Sequence, residues 1–132
     1  MKYLIDTDWV INHPKGEKRV VRKLEELAPE GMAMSVISLA EIYEGVYYSR
    51  DPAKSQQLLK EFLAPDLKVL NVDQEVCKIF GRERGKLRQQ NKMISDFDLL
   101  IASTCLYYSL TLLTNNRRHF DMVEGLNILS LS

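Results

Sequence analysis

Residues 1–12 read MKYLIDTDWVIN. The apolar run Tyr3, Leu4, Ile5 stops at Asp6, Thr7 and Asp8, and Trp9, Val10 and Ile11 then resume the apolar pattern. A short apolar run closed by polar residues describes a buried strand over residues 3–6. Trp9 to about Asn12 starts a turn of helix that His13-Pro14 ends. A carboxylate directly after a buried strand needs a partner, because an uncompensated charge beside a core is costly. Two later stretches of the chain place acids in the same way.

The chain has 132 residues, 45% of them apolar and 27% charged. This is the composition of an ordinary globular domain, large enough to hold a core without staples, and one domain over residues 1–132 is expected. The formal net charge is zero, which argues against holding nucleic acid by bulk charge and leaves room for a local basic patch. The two cysteines, Cys77 and Cys105, each fall in an apolar, helical-looking stretch, with no Cys or His at metal-ligand spacing. Both are expected to be buried thiols in a reducing compartment. The start lacks a basic region followed by a long apolar run, and no apolar run reaches the length of a membrane span. The expectation is a soluble cytoplasmic protein.

Outward from the first strand, apolar runs alternate with helix-period segments. Residues 18–27 carry Val20, Val21, Leu24 and Leu27 at amphipathic helix spacing, stopped by Pro29 and Gly31. Residues 32–37 form a second strand. Helices are expected over 38–49 and, after the Arg50-Asp51-Pro52 break, over 53–63. A strand at 67–72, helices at 73–90 and 95–109, and strands at 110–114 and 126–131 complete the pattern. Strands alternating with helices predict right-handed crossovers and an α/β fold, a three-layer α/β/α sandwich around a mostly parallel sheet of about five strands. Ligand sites of such sheets lie beyond the carboxyl ends of the strands, which is where Asp6 sits.

The second acidic position is Glu41, in SVISLAEIYEG, one turn into the helix after the second strand. The third is MISDFDLLIAST, where Asp96 and Asp98 open a helix. A parallel sheet gathers these ends on one edge, so Asp6, Glu41 and Asp98 are expected to converge within a few ångströms. Clustered carboxylates raise one another's pKa unless a cation offsets them. Hard oxygen donors without His or Cys suit Mg²⁺, with Mn²⁺ as a substitute, and such an ion activates water toward a phosphodiester. The same residues have a purely structural reading: Ser38 to Glu41 fits a capping box, Ser95 to Asp98 a similar cap, and first-turn acids favour the helix dipole.

Residues 78–92 contain Lys78, Arg82, Arg84, Lys86, Arg88 and Lys92 against Glu83 alone. Arg117, Arg118 and His119 form a second basic group in the loop after the fourth strand. Phosphate contacts from Arg117, Arg118, Arg82 and Lys86 would hold a nucleic-acid backbone; a solvated helix face is the alternative for the longer run. Tyr43, Tyr47 and Tyr48, and the pair Tyr107 and Tyr108, are either core or the lining of a partner groove.

Together, LIDTDWVI near the start, SVISLAEIYEG in the middle, and ISDFDLLIAS followed by LTLLTNNRRHF resemble the PIN domain, and more narrowly the VapC-type toxin ribonucleases of toxin–antitoxin pairs. The resemblance runs from Tyr3 to about Leu129. It implies a Mg²⁺-dependent endoribonuclease acting on tRNA or rRNA, a homodimer, and a VapB-type antitoxin that reaches the acidic site with an Arg or Lys. The family's first acid maps onto Asp6 with Thr7 beside it, its glutamate onto Glu41, and its next acid onto Asp98. Asp96 is an extra candidate ligand and Asp8 a weaker one. One departure stands out. The family often has a fourth acid in the loop after the fourth strand, where this chain reads Thr114-Asn115-Asn116-Arg117-Arg118-His119-Phe120. Asn116 is the nearest match to the metal-ligating acid, and His119 stands where some relatives carry an acid. One well-held ion is therefore expected, with a second recruited by substrate phosphate. A nuclease of RNA processing or DNA repair without an antitoxin, and a catalytically weak binding module, are the competing readings.

Overall fold

The computed structural model describes residues 1–12, 18–63 and 67–131. The chain runs β1 (Tyr3–Ile5), α1 (Thr7–Asn12), α2 (Lys18–Leu27), a 3₁₀ turn (Ala28–Glu30), β2 (Met32–Ser35), α3 (Val36–Tyr47), α4 (Pro52–Phe62), β3 (Lys68–Leu70), α5 (Gln74–Gln89), α6 (Asp96–Tyr108), β4 (Thr111–Leu113), α7 (Arg117–Phe120) and β5 (Ile128–Leu129). The expected alternation of strands and helices is present. The His13-Pro14 stop expected for the first helix lies outside the described residues.

The five strands form one parallel sheet in the order β3-β2-β1-β4-β5. In register, Ile5 of β1 lies beside Met34 of β2 on one side and Leu113 of β4 on the other. The chain builds outward from β1 through β2 to β3, then returns to place β4 on the opposite side of β1. The reversal leaves a crevice between the carboxyl ends of β1 and β4, the position where such sheets bind ligands.

Period-two alternation assigns the faces. Tyr3 and Ile5 pack with Trp9, Val10, Val20, Leu24, Ile42, Val46 and Leu59 on the α1–α4 side. Leu4 packs with Leu87, Leu99, Ile101, Cys105 and Phe120 on the side of α5, α6 and α7. With both faces covered, β1 is buried throughout, which explains its continuous apolar run. Gly31, at φ +90°, makes the turn into β2; a Cβ there would meet the Met1 backbone at 2.8 Å. Among the described residues no helix is long and apolar enough to cross a membrane.

Three expectations are corrected. Ser38 is not a helix cap: α3 begins earlier, and Ser35 Oγ accepts the Ile37 N–H at 3.1 Å. Ser38 is therefore an interior, buried residue, and Glu41 sits beyond the first turn, so no capping box forms. Cys77 is exposed rather than buried, whereas Cys105 is buried as expected. Arg117 and Arg118 do not lie in a loop but open the short helix α7. The caps at Ser95, which accepts the Asp98 N–H at 3.2 Å, and at Asp73, which accepts the Val76 N–H at 3.0 Å, set the starts of α6 and α5.

Candidate active site

Asp6 is the first residue beyond β1, and its N–H still donates to the Leu113 carbonyl at 3.0 Å, as a strand residue would. The neighbouring strands thus fix its backbone before its side chain makes any bond. Asp6 is only 5% exposed. Its Oδ2 accepts the Thr114 hydroxyl at 2.6 Å and its Oδ1 accepts the Thr7 N–H at 2.8 Å. Thr114 is the residue after β4, so this bond crosses the crevice. The same Thr114 Oγ1 accepts the Asn116 N–H at 3.0 Å. Thr7 turns its hydroxyl to Glu41 Oε1 at 2.7 Å, joining α1 to α3. Asp6 and Glu41 are therefore joined through consecutive bonds to Thr7.

Burial raises the Asp6 pKa to about 7, aided by the charges of Asp8 and Asp98 and opposed by the Thr114 and Thr7 hydrogen bonds. Burial also raises the pKa of Asp8, against the Asn115 N–H that favours its anion, with Asp98 adding to the rise. Glu41 is raised by burial first, and again by Asp98, while the Thr7 hydroxyl opposes. The charge of Asp98 thus acts on Asp6, Asp8 and Glu41, and that of Asp8 on Asp6, at the end of the sheet. Asp98 is carried there by the first turn of α6.

Asn116 and His119 complete the rim. His119 Nδ1 lies 3.5 Å from Asp98 Oδ2 and 3.3 Å from Asn116 Nδ2. Asn115 has a structural task. Its Oδ1 accepts both Trp9 Nε1–H at 3.2 Å and Leu131 N–H at 2.8 Å, and its own N–H donates to Asp8 Oδ2 at 3.1 Å.

The remaining sequence candidates divide. Asp96 does not join the acidic group: its side chain is 76% exposed and bonds Arg84 Nη2 at 2.8 Å. Arg82 and Lys86 both reach Glu83 Oε2, at 3.1 and 3.2 Å, and Glu83 is buried. Part of the basic run on α5 is therefore spent on neutralising a buried acid. Arg117 pairs with Asp121 at 3.5 Å. Arg118 is exposed, with no ion pair among the described residues. Thr114, which bonds Asp6 directly, and the contact of His119 with Asp98 escaped the sequence reading. A lone hydroxyl after a strand carries no periodic signal, and its pairing with Asp6 spans 108 positions.

The donor set is oxygen-only at its centre, with a buried Asp6 that no cationic side chain bonds among the described residues. That suits a hard divalent cation. Among the described residues no group of three His, Cys, Asp or Glu side chains is placed to hold a metal ion, so the expected convergence of Asp6, Glu41 and Asp98 does not give a ready-made three-ligand set. The arrangement fits an ion that keeps much of its water, as Mg²⁺ does when one or two carboxylates hold it.

The model of the PIN domain matches residues 3–126 of this chain. The ribonuclease VapC1 of Methanocaldococcus jannaschii is 31% identical over 129 residues, covering 96% of this chain and 86% of that protein. The tRNA(fMet)-specific endonuclease VapC of Shigella flexneri is 29% identical over 126 residues, covering 96% of this chain and 95% of that one. Among solved structures, VapBC2 from Rickettsia felis, bound to a DNA fragment from its promoter, superposes with a TM-score of 0.93 at 30% identity, over 100% of both chains. Matching sequence and matching fold agree: the chain belongs to the PIN-domain family, among its VapC members.

Proposed function

We propose that this chain is a Mg²⁺-dependent endoribonuclease, the toxin of a VapBC-type pair, cleaving phosphodiester bonds of tRNA or rRNA in the cytoplasm. The observation that carries the reading is Asp6: a buried carboxylate at the switch of strand order, coupled to Asp8, Asp98 and, through Thr7, to Glu41. Asp6, Asp98 and Glu41 would hold the ion, with Asn116 as a neutral neighbour. When bound, the ion supplies acidified water and offsets charge on the phosphate. The chain's own residues supply orientation. Thr114 and Thr7 hold Asp6 in one rotamer, Thr7 holds Glu41, and the Ser95 cap holds the backbone of Asp98. Preset donors of this kind avoid reorganisation when the phosphate arrives.

Arg118 and Arg117 belong to α7, the short helix whose His119 contacts Asp98, and would take RNA phosphates. The Shigella relative, named for its specificity to tRNA(fMet), supports an RNA substrate of this class. The solved VapBC complex supports an antitoxin partner. Tyr48, 87% exposed, and Tyr47, stacked on Tyr43 at 6.1 Å, leave aromatic surface at the end of α3 for it. A homodimer is the assembly in which we place the chain.

The test is cleavage of pooled tRNA and rRNA by purified protein, with Mg²⁺, with a chelator, and beside Asp6→Asn. Discrete fragments that need both the ion and Asp6 are expected. Identical fragments from Asp6→Asn, or undiminished cutting in chelator, would sink the reading.

A further inference from the structure

The basic run on α5 is not uniform. Arg82 and Lys86 are held by buried Glu83. Arg88, in the last turn of α5, and Lys92, in the loop beyond it, are exposed and make no ion pair among the described residues. That end of α5 is fastened to the first turn of α6, which carries Asp98. Asn91, at φ +56°, turns the chain out of the helix, and the Lys92 N–H donates back to the Leu87 carbonyl at 2.9 Å. The Arg84 guanidinium lies over the Phe80 ring at 5.6 Å and bonds Asp96 at 2.8 Å. Arg84 thus ties the two helices together and offsets the charge of Asp96.

Two side chains of this corner are unusual for a surface that meets only water. Met93 is 79% exposed and Phe97 48%. Phe97 stands between Asp96 and Asp98 in the first turn of α6. The helix does not require an aromatic residue there, because Phe is a middling helix former and Ser95 supplies the cap. Single exposed apolar residues are ordinary. Here a phenyl ring, a thioether and two unpaired cations fall within residues 88–97. Exposed rings take nucleobases by stacking, and cations take the phosphates between them. A second copy docked here about a two-fold axis would bring its own Arg88 and Lys92 against these, like charge on like. A polyanion meets no such penalty.

On the ribonuclease reading given above, we propose that the α5–α6 corner holds the RNA strand beside the scissile phosphate, with Phe97 stacked on a base and Arg88 and Lys92 on the flanking phosphates. Met93 extends the apolar surface under the strand. Stacking on a side chain requires a base released from its pair, so Phe97 is a specificity-determining residue that favours unpaired RNA over duplex.

The test is fluorescence anisotropy with a short labelled single-stranded RNA of mixed sequence, and with the same RNA as a duplex, at several salt concentrations in chelator. Phe97→Leu keeps an apolar side chain without the ring, Phe97→Trp keeps a ring, and Arg88→Ala removes one cation. Melting first establishes that each variant is folded. Phe97→Leu is expected to weaken single-strand binding about tenfold, within the range of one lost stack, with duplex binding unchanged. Phe97→Trp is expected to hold parental affinity, and Arg88→Ala to reduce the single-strand salt slope by about 0.7. Parental single-strand affinity in Phe97→Leu, or equal weakening toward strand and duplex, overturns the stacking role. An unchanged slope in Arg88→Ala overturns the phosphate contact. A lower sedimentation mass of Phe97→Leu than of the parent gives the corner to a second copy and overturns the proposal. A parent that cuts RNA yet binds the single strand no more tightly than the duplex overturns the proposal and leaves the ribonuclease reading standing. A parent that neither binds nor cuts RNA overturns both.

Discussion

The Thr114 hydroxyl donates to Asp6 Oδ2 at 2.6 Å, tying together the ends of β4 and β1 where the strand order reverses. This bond favours the charged form of a carboxylate that burial drives the other way. Thr114→Val keeps the side-chain shape and removes the donor. A hydrogen bond to a charged group is worth roughly 1.5–3 kcal/mol, so the variant's Asp6 should titrate at higher pH. Nuclease activity at pH 7 should fall about tenfold and recover as pH rises. An unshifted pH profile would show that the bond does not tune Asp6.

Asp6 also makes stability depend on pH. Its folded pKa of about 7 lies above the ordinary 3.8. The stability it contributes is therefore fully present below about pH 4 and is lost as pH rises through about 7. Without metal the parent should lose stability between pH 5 and 8, by roughly 3 kcal/mol at most. Asp6→Asn carries no charge there and should melt higher than the parent at pH 8. Denaturation of both proteins in chelator across that range checks the sign; a parent that gains stability over it would contradict the assignment.

Ser95 serves the fold and the site through one bond, from the Asp98 N–H at 3.2 Å. Ser95→Ala should cost about 1 kcal/mol, visible as a drop of a few degrees in Tm. Activity should fall less than in Asp98→Asn, because the carboxylate remains and only its backbone loosens. A loss equal to that of Asp98→Asn would give Ser95 a larger role than capping.

The basic residues should separate by what already holds them. Arg118 is exposed on α7, whereas Arg82 and Lys86 are committed to buried Glu83. Arg118→Ala should weaken RNA binding and reduce the salt slope by about one. Arg82→Ala should leave the slope nearly unchanged and act mainly on stability, since it exposes a buried acid's loss of partner. Binding measured at several salt concentrations distinguishes the two; equal slopes for both variants would return Arg82 to the RNA-binding surface.

The fold was legible because its signals are local. Tyr3, Leu4 and Ile5 are apolar without a break because both faces of β1 are covered. Caps such as Asp73 and Ser95 mark helix starts from a single residue and its third neighbour. Where two local signals competed, the sequence misled. Ser35 and Ser38 both satisfy the chemistry of a cap, and only the end of β2 decides that Ser35 takes it. Cys77 shares an apolar neighbourhood in sequence but faces outward on α5.

Asp6 and Asp98 are candidates by their places at element ends and Glu41 by its place in the helix after β2, which local pattern alone determines. Which groups meet them was decided by the tertiary structure. Strand order brings Thr114 to Asp6, puts Asn115 against Asp8 and Trp9, and turns Asp96 out to Arg84. Helix period and strand alternation are fixed by neighbouring residues, so a sequence shows them. A hydrogen bond across 108 residues and the desolvation of a carboxylate arise only when the sheet closes around it.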